Sequence, residues 1–476
     1  MWKNIYFLIC FNNFCLLWAQ QGQSVPATVN SFSPSLTYDA KKLYEMVLDI
    51  YPTTVTLLKD PRLSNNVHKM FDLGFMSHDP SSYIRTISDV TYKVNNPREM
   101  GNSARVVTDD STLKYPNNAG TLPPNTIKNQ QRYIWWVASG KSRPNLPGEI
   151  YNGGIYLIDM TAQRWVPVPI YQEQNVGFSN VAWVDMDMDG LKDCITIKGG
   201  SNNAELAWLK QPQSDSGMWI YNQIQTNISN VGGTYFKVAN MNFASGRGRL
   251  MIVVAGKTTA QLTIFWVADD LHNDWSLTTL IRSHVISNAG PFESVEITDL
   301  NGDGRLDILT TVSANRGTPG SIIAFETPRN GFGTNQRWRK RKLYEFPPTP
   351  TLYSKTFPGM AMAFKAYSTS NTRNGLAKKH ILISGKDDKK VYILTPLTWS
   401  PVIWRFSIKT ILDDNCVVGT PAVNDVDGDG LAEIFIPCGN KLHVMKYQPV
   451  NYASRISFGV GSTTILLSCL VLLNFI

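Results

Sequence analysis

Three nine-residue segments of the chain repeat one pattern: DMDMDGLKD (185–193), DLNGDGRLD (299–307) and DVDGDGLAE (425–433). Each is acidic at positions 1, 5 and 9, acidic or Asn at position 3, and Gly at position 6. Four oxygen-bearing side chains in nine residues repel one another unless a cation lies between them. A tight loop turns alternate side chains inward, so oxygens at positions 1, 3, 5 and 9, with the carbonyl of position 7, can surround one hard ion while Gly takes the sharp turn. The expected ligands are Asp185, Asp187, Asp189 and Asp193; Asp299, Asn301, Asp303 and Asp307; and Asp425, Asp427, Asp429 and Glu433. Calcium suits an all-protein oxygen cage of flexible geometry better than magnesium does, and three loops imply about three ions per chain.

An EF-hand is the obvious rival, and it fails on two counts. Its bidentate Glu at position 12 is replaced here by Thr196, Thr310 and Ile436, and no helix follows. Instead each loop leads into an apolar β-rich run, CITI, ILTTV or IFIP, then a turn and a second run, ELAWLKQP, SIIAFETP or KLHVMKYQP. The same strand pair recurs without the acidic loop at YIWWVAS/GIYLIDM (133–160), LMIVVAG/QLTIFWV (250–267) and HILISG/KVYILTP (380–396). Six units result, with a period near 60 residues, which signals a β-propeller with one four-stranded blade per unit. In the degenerate unit at 240–250, Asn240 and Asn242 persist while Arg247 and Arg249 stand where carboxylates would be, so no metal is expected there.

DxDxDG loops that run into strands and end in a Trp- or Phe-containing strand with Pro (AWLKQP, AFETP) resemble the FG-GAP/VCBS repeats of integrin α-subunit heads and of many secreted propellers. The resemblance covers roughly residues 121–450. It implies an all-β propeller of about seven four-stranded blades with calcium in outer-loop sites, one blade coming from the poorly marked N-terminal region or from closure of the two termini. Integrin leg domains and a cytoplasmic tail have no counterpart in this sequence.

Residues 20–120 read as an N-terminal extension, α/β or irregular, or as an irregular blade. Leu43, Met46, Val47 and Ile50 have helical spacing within YDAKKLYEMVLDI (38–50), TVTLL (54–58) reads as a strand, and the Pro/Asn-rich remainder reads as long loops.

The two ends bear on compartment. Residues 1–19 carry one basic residue, an apolar stretch broken by Asn12 and Asn13, and a small residue, Ala19, before QQGQS, the pattern of a cleavable secretory signal. Residues 451–476 run from polar NYASRISFGVGS into the apolar TTILLSCLVLLNFI, the pattern of a glycosylphosphatidylinositol (GPI) attachment signal. Asn451 gives the best attachment spacing, with Ser457 as alternative. Removal of both segments leaves Cys194, Cys416 and Cys438; the last two bracket one acidic loop beside predicted strands, so a Cys416–Cys438 disulfide is expected and Cys194 reads as a buried, inert thiol. Asn227-Ile228-Ser229 is an acceptor sequon for N-glycosylation.

The formal charge of +8, or +6 once Lys3 and Arg455 go with their segments, is too diffuse to imply nucleic acid. Six His residues offer no HExxH spacing, and the chain has neither a GxSxG elbow nor a phosphate-cradling Gly loop, so no catalytic residue is nominated. RWRKRK (337–342) reads as a solvated loop or strand edge, as a contact for anionic glycan or acidic lipid, or as a processing site. The 13 Trp residues suit blade packing better than a carbohydrate platform. The expected protein is therefore a cell-surface, calcium-stabilised propeller that binds an extracellular protein or glycan and is held to the membrane by a lipid anchor. Its rival is a propeller enzyme acting on sugars as a lyase or dehydratase, since the fungal aldos-2-ulose dehydratases are similar in repeat type.

Overall fold

The computed structural model describes residues 8–11, 14–17, 38–62, 70–77, 84–108, 113–124, 126–127, 132–140, 151–200, 203–214, 217–230, 233–242, 248–268, 273–314, 318–328, 331, 337–348, 357–366 and 378–450. The chain forms two units, Met1–Leu36 and Thr37–Ile476. In the first, β1 (Leu8–Phe11) pairs antiparallel with β2 (Phe14–Leu17). The second holds all seven of the four-stranded antiparallel sheets among the described residues: a seven-bladed β-propeller.

Strand β3 (Tyr38–Val47) comes first in this second unit and belongs to its last blade. Blade 1 is β4 (Thr54–Lys59), β5 (Phe71–Met76), β6 (Ile84–Ile87) and β7 (Ala104–Thr108), with short helices α1 (Val90–Lys93) and α2 (Pro97–Asn102) before its outer strand. Blade 2 is β8 (Pro116–Thr121), β9 (Ile134–Ser139), β10 (Asn152–Asp159) and β11 (Pro167–Gln174). Blade 3 is β12 (Gly177–Val184), β13 (Asp193–Gly199), β14 (Ala204–Lys210) and β15 (Ile220–Gln225). Blade 4 is β16 (Thr234–Asn242), β17 (Gly248–Gly256), β18 (Leu262–Val267) and β19 (Ile281–Ser287). Blade 5 is β20 (Phe292–Thr298), β21 (Asp307–Val312), β22 (Ser321–Glu326) and β23 (Arg339–Glu345). Blade 6 is β24 (Ala361–Phe364), β25 (His380–Ser384), β26 (Lys390–Pro396) and β27 (Phe406–Asp413). Blade 7 joins β28 (Ala422–Asn424), β29 (Ala432–Cys438) and β30 (Lys441–Pro449) to β3, which closes the ring through pairs running from Tyr38↔Pro449 to Val47↔Lys441.

The second strand of each blade is buried on both faces, and this is why those strands read as unbroken apolar runs. Along β13, Ile195 and Ile197 pack with blade 4 against Ile252 and Phe265, while Cys194, just before them on the strand's other face, packs toward blade 2 against Trp136 and Ala138. Along β29, Ile434 and Ile436 join Leu382 of blade 6, whereas Phe435 joins Leu73 of blade 1. The period-two alternation of a strand thus feeds two interfaces from one segment. The apolar clusters are accordingly layers between blades rather than one central core.

The structure differs from the sequence reading at residues 38–108. The helical spacing at 38–50 is realised as a strand, because the register shifts between Lys42 and Tyr44. The extra residue, Leu43, breaks the alternation that otherwise places Met46, Leu48 and Ile50 inside, and leaves Val47 71% exposed. Of the two readings of 20–120, an extension or a blade, the blade is the one found: β4–β7 form a four-stranded sheet, so the propeller begins at Tyr38 and not near 121. Both routes to a seventh blade are used: the N-terminal region supplies blade 1, and closure of the two ends completes blade 7. The segments assigned to the attachment signal, 451–476 with Asn451, lie outside the described residues.

Candidate metal centres

All three acidic loops lie at one place in their blades, between the first and second strands. They also share an internal hydrogen-bond scheme. The position-1 carboxylate accepts the N–H of the position-6 glycine: Gly190 to Asp185 (3.0 Å), Gly304 to Asp299 (2.9 Å) and Gly430 to Asp425 (3.1 Å). The position-5 carboxylate accepts the N–H of position 7, at 2.9 Å in each case: Leu191 to Asp189, Arg305 to Asp303 and Leu431 to Asp429. The position-9 carboxylate reaches back to the N–H of position 2: Met186 to Asp193 (2.8 Å), Leu300 to Asp307 (3.2 Å) and Val426 to Glu433 (2.8 Å). Gly190, Gly304 and Gly430 have φ of +87°, +84° and +88°, so position 6 needs glycine's freedom. Position 4 is left-handed as well, and there Met188 (φ 61°) stands where the other loops have Gly302 and Gly428.

Spacing alone did not single out position 2. Met186, Leu300 and Val426 are buried, and each packs across the interface to the following blade: Met186 with Trp275, Leu300 with Ile381, and Val426 with Leu73. Backbone bonds reinforce two of these contacts, Trp275 N–H to Met186 O (2.8 Å) and Lys379 N–H to Leu300 O (3.3 Å). In the third loop Asn95 of blade 1 donates to Asp427 (2.9 Å). Each loop therefore joins its own blade to the next. The recurring apolar residue between two acidic ones was the available signal.

The loops differ in how their carboxylates meet. Asp185, Asp187 and Asp193 bring one oxygen each to within 4.8 Å of one another, and so do Asp425, Asp427 and Glu433. Asp185 Oδ1 and Asp187 Oδ1 are buried without a hydrogen-bond partner. Glu433 Oε1 is also buried and makes no hydrogen bond of good geometry, although the Lys446 ammonium stands 3.1 Å away. Buried unbonded oxygens in a converging carboxylate set are what a divalent ion satisfies, and the donor set is hard oxygen throughout. The middle loop has Asn301 at position 3, so only two of its positions 1, 3 and 9 are carboxylates. Asp303 is drawn to the Arg305 guanidinium (2.6 Å) and to Asn301 Nδ2 (3.2 Å), and Arg305 is also held by Thr327 O (3.0 Å).

Burial pushes the position-9 carboxyls up, Asp193 to about 7, Asp307 to about 8 and Glu433 to about 7, against the opposing pull of the backbone N–H bonds just described. Lys210 is held well above the usual lysine range by its bonds to Asp187 and Asp189. Burial pulls Lys446 down, but Asp427, Asp429 and Glu433 outweigh it and raise it.

Cys416 and Cys438 are paired as a disulfide with Cα atoms 5.5 Å apart, and Asp414 lies beside them; Cys194 is free and fully buried, its thiol pushed up by burial. Asn227 is exposed after β15, whereas the Ser229 hydroxyl is taken up by Thr258. RWRKRK lies at the outer edge of blade 5: Trp338 is buried, Arg341 pairs with Glu326 (2.7 Å), and Arg339 and Lys340 are exposed. Arg249 in the degenerate unit is buried and donates to Val267 O (2.8 Å). An open groove of about 590 Å³ lies between blades 2 and 3, lined in part by Leu157, Ile170, Tyr171, Met218 and Trp219. Met218 and Val168 are exposed there, and Ile220, next to the lining residue Trp219, is exposed as well.

Among solved structures, the chain is similar to the Dos1 propeller (8% identity, TM-score 0.44, covering 86% of this chain and 95% of that one). It is also similar to the Cps50 (Swd1) β-propeller domain of Myceliophteria thermophila (10%, 0.42, 85% and 99%). A third is the PQQ-bound aldose sugar dehydrogenase of Streptomyces coelicolor (8%, 0.36, 87% and 100%). No protein-family model matches the chain, and no curated protein matches it in sequence.

Proposed function

We propose that this protein is a calcium-stabilised propeller of the cell surface that works by binding an extracellular protein or glycan. The observation that carries the calcium part is the pair of converging carboxylate sets, Asp185/Asp187/Asp193 and Asp425/Asp427/Glu433, with buried oxygens left unbonded. Calcium would be held by those residues, with Asp189 and Asp429 beside them and the Asp299, Asn301, Asp303 and Asp307 loop as a third site. Bound there, the ion supplies charge neutralisation at a blade-to-blade joint. The loops spend their side chains on their own backbone, which favours a structural ion over one that touches a ligand. Recognition would then fall to exposed surface elsewhere, such as the apolar rim of Val168, Met218 and Ile220 and the basic edge of Arg339 and Lys340.

The FG-GAP/VCBS-like repeats support an adhesion or recognition role, and the two terminal patterns support secretion followed by GPI anchoring at Asn451. Glycosylation at Asn227 fits its exposure. The test is a binding screen of the full chain, displayed on cells, against glycan and ectodomain arrays. Saturable binding that persists at fixed affinity once calcium is saturating is expected. Turnover of a sugar without stable binding would overturn the reading in favour of an enzyme. Phosphatidylinositol-specific phospholipase C should release the protein from intact cells.

A further inference from the structure

We infer that loops 185–193 and 425–433 each carry a tethered replacement cation, Lys210 and Lys446, which a divalent ion must displace to enter, and that loop 299–307 lacks this device. The inference rests on the proposal that the loops hold calcium. It concerns what competes with that ion.

Lys446 lies directly across from Glu433 in the β29–β30 register. Its ammonium, in a side chain only 12% exposed, stands 2.8 Å from Asp427, 2.6 Å from Asp429 and 3.1 Å from Glu433. Lys210 has the same place in blade 3: it follows Leu209, which pairs with Cys194, so it lies across from Asp193. Its ammonium bonds Asp187 and is 3.1 Å from Asp189. In both loops, therefore, a charge anchored on the third strand reaches the position-3 and position-5 carboxylates. In blade 5 that position is Glu326, which follows Phe325, the partner of Ile308. It carries the opposite charge, is paired outward to Arg341 (2.7 Å), and leaves neutralisation of Asp303 to Arg305 within the loop.

An ammonium and a divalent ion on the same carboxylates compete even where they take different oxygens, as at Asp187, whose Oδ2 bonds Lys210 while Oδ1 has no partner, because like charges a few ångströms apart repel strongly in a partly desolvated site. The lysine offsets carboxylate repulsion when no metal is present, so blades 3 and 7 should hold their shape at low calcium. Entry of calcium swings the ammonium out toward solvent along its flexible stem. The consequence is a weak site tuned by a residue outside the nine-residue motif.

The experiment uses the full chain and the variants Lys446→Met, Lys210→Met and Lys446→Arg, with Lys340→Gln as a surface control. Calcium titration calorimetry and melting temperatures in chelator and in millimolar calcium are measured for each. Each Met variant should melt below wild type in chelator, recover in calcium, and bind calcium at the altered loop roughly ten- to a hundredfold more tightly, the scale expected when a charge competing at contact distance is removed. Lys446→Arg, which keeps the charge, and Lys340→Gln should match wild type in affinity. Wild type and the Met variants binding calcium with equal affinity would overturn the inference and leave the calcium reading standing. Absence of calcium binding in every protein would overturn both. Should Lys446→Met not fold in chelator, purification in calcium keeps its affinity measurable, and Lys210→Met is the independent second case.

Discussion

Blades 3, 5 and 7 and blades 2, 4 and 6 solve one local problem in two ways. Where the second strand begins, a buried polar side chain sits at the joint between neighbouring structure. In the acidic blades it is Asp193, Asp307 or Glu433, each accepting the N–H of an apolar residue that plugs into the next blade. In the others it is a donor or a neutral ring. Tyr133 gives its hydroxyl to Leu58 O (3.2 Å), Arg249 reaches Val267 O, and His380 Nδ1 meets the Tyr447 hydroxyl (3.0 Å). The acidic loop is thus one of several ways to satisfy a buried corner. It is the only one of these that concentrates negative charge, and so it alone calls for a cation.

The largest effect is expected from deleting a corner carboxylate. Glu433→Ala leaves the Val426 N–H without its acceptor and the Lys446 ammonium beside two carboxylates in altered balance. Breaking one partner of a buried pair costs about 3–5 kcal/mol. Urea denaturation should show a loss of that order, and a loss under about 1 kcal/mol would mean that the corner is not a stabilising joint.

The neutral corner has its own signature in pH. His380 is 2% exposed among Tyr38, Phe364 and Tyr447, and burial lowers it from 6.5 to about 3. The unfolded chain therefore binds a proton in this interval that the folded chain refuses. The contribution of His380 is intact above pH 6.5 and is lost progressively as pH falls toward about 3, at about 1.4 kcal/mol per unit. Comparing the pH dependence of stability for wild type and His380→Phe isolates the contribution. Equal slopes between pH 4 and 6 would show that the imidazole titrates normally in the fold.

A smaller effect separates the acidic loops from one another. Met188 adopts φ 61° where its counterparts are glycines, a conformation that costs a side-chain-bearing residue about 1 kcal/mol. Met188→Gly should raise stability by up to about that amount, less glycine's extra freedom in the unfolded chain. Thermal melts of the two proteins in calcium check this, and a lower melting temperature for the glycine variant would count against strain at position 4.

These differences explain what the sequence made legible. Six of the seven blades are visible because strands such as IWWVAS and HILIS are buried on both faces and read as apolar runs. Blade 1 escapes notice because its second strand, FDLGFM, is interrupted by Asp72 and Gly74, and because α1 and α2 lie between its outer strands. The bulge at Leu43 gives β3 a helical spacing by accident. At the loops, spacing identifies the oxygens but cannot show which neighbouring charge reaches them. Lys210 and Lys446 reach their loops from the third strand, and only the register places them opposite a position-9 carboxylate, whereas Arg305 reaches Asp303 from within its own loop.

The finest test of the comparison lies inside the acidic set. Loops 185–193 and 425–433 have leucine at position 7, Leu191 and Leu431, where loop 299–307 has Arg305. Its guanidinium holds Asp303 and is itself 30% exposed, so the pair is worth less than about 1 kcal/mol in chelator. Arg305→Leu should consequently change stability without metal only slightly. It should also release the position-5 carboxylate of Asp303 from its guanidinium partner. Calcium affinity at this loop should then rise, because a fixed positive charge leaves and a ligand oxygen is released together. Calorimetry on the variant, with Lys210 and Lys446 unchanged, assigns any gain to this loop. An unchanged isotherm would mean that Arg305 does not weaken the middle loop's hold on calcium, and that any difference lies instead in Asn301 standing where the other two loops carry Asp187 and Asp427.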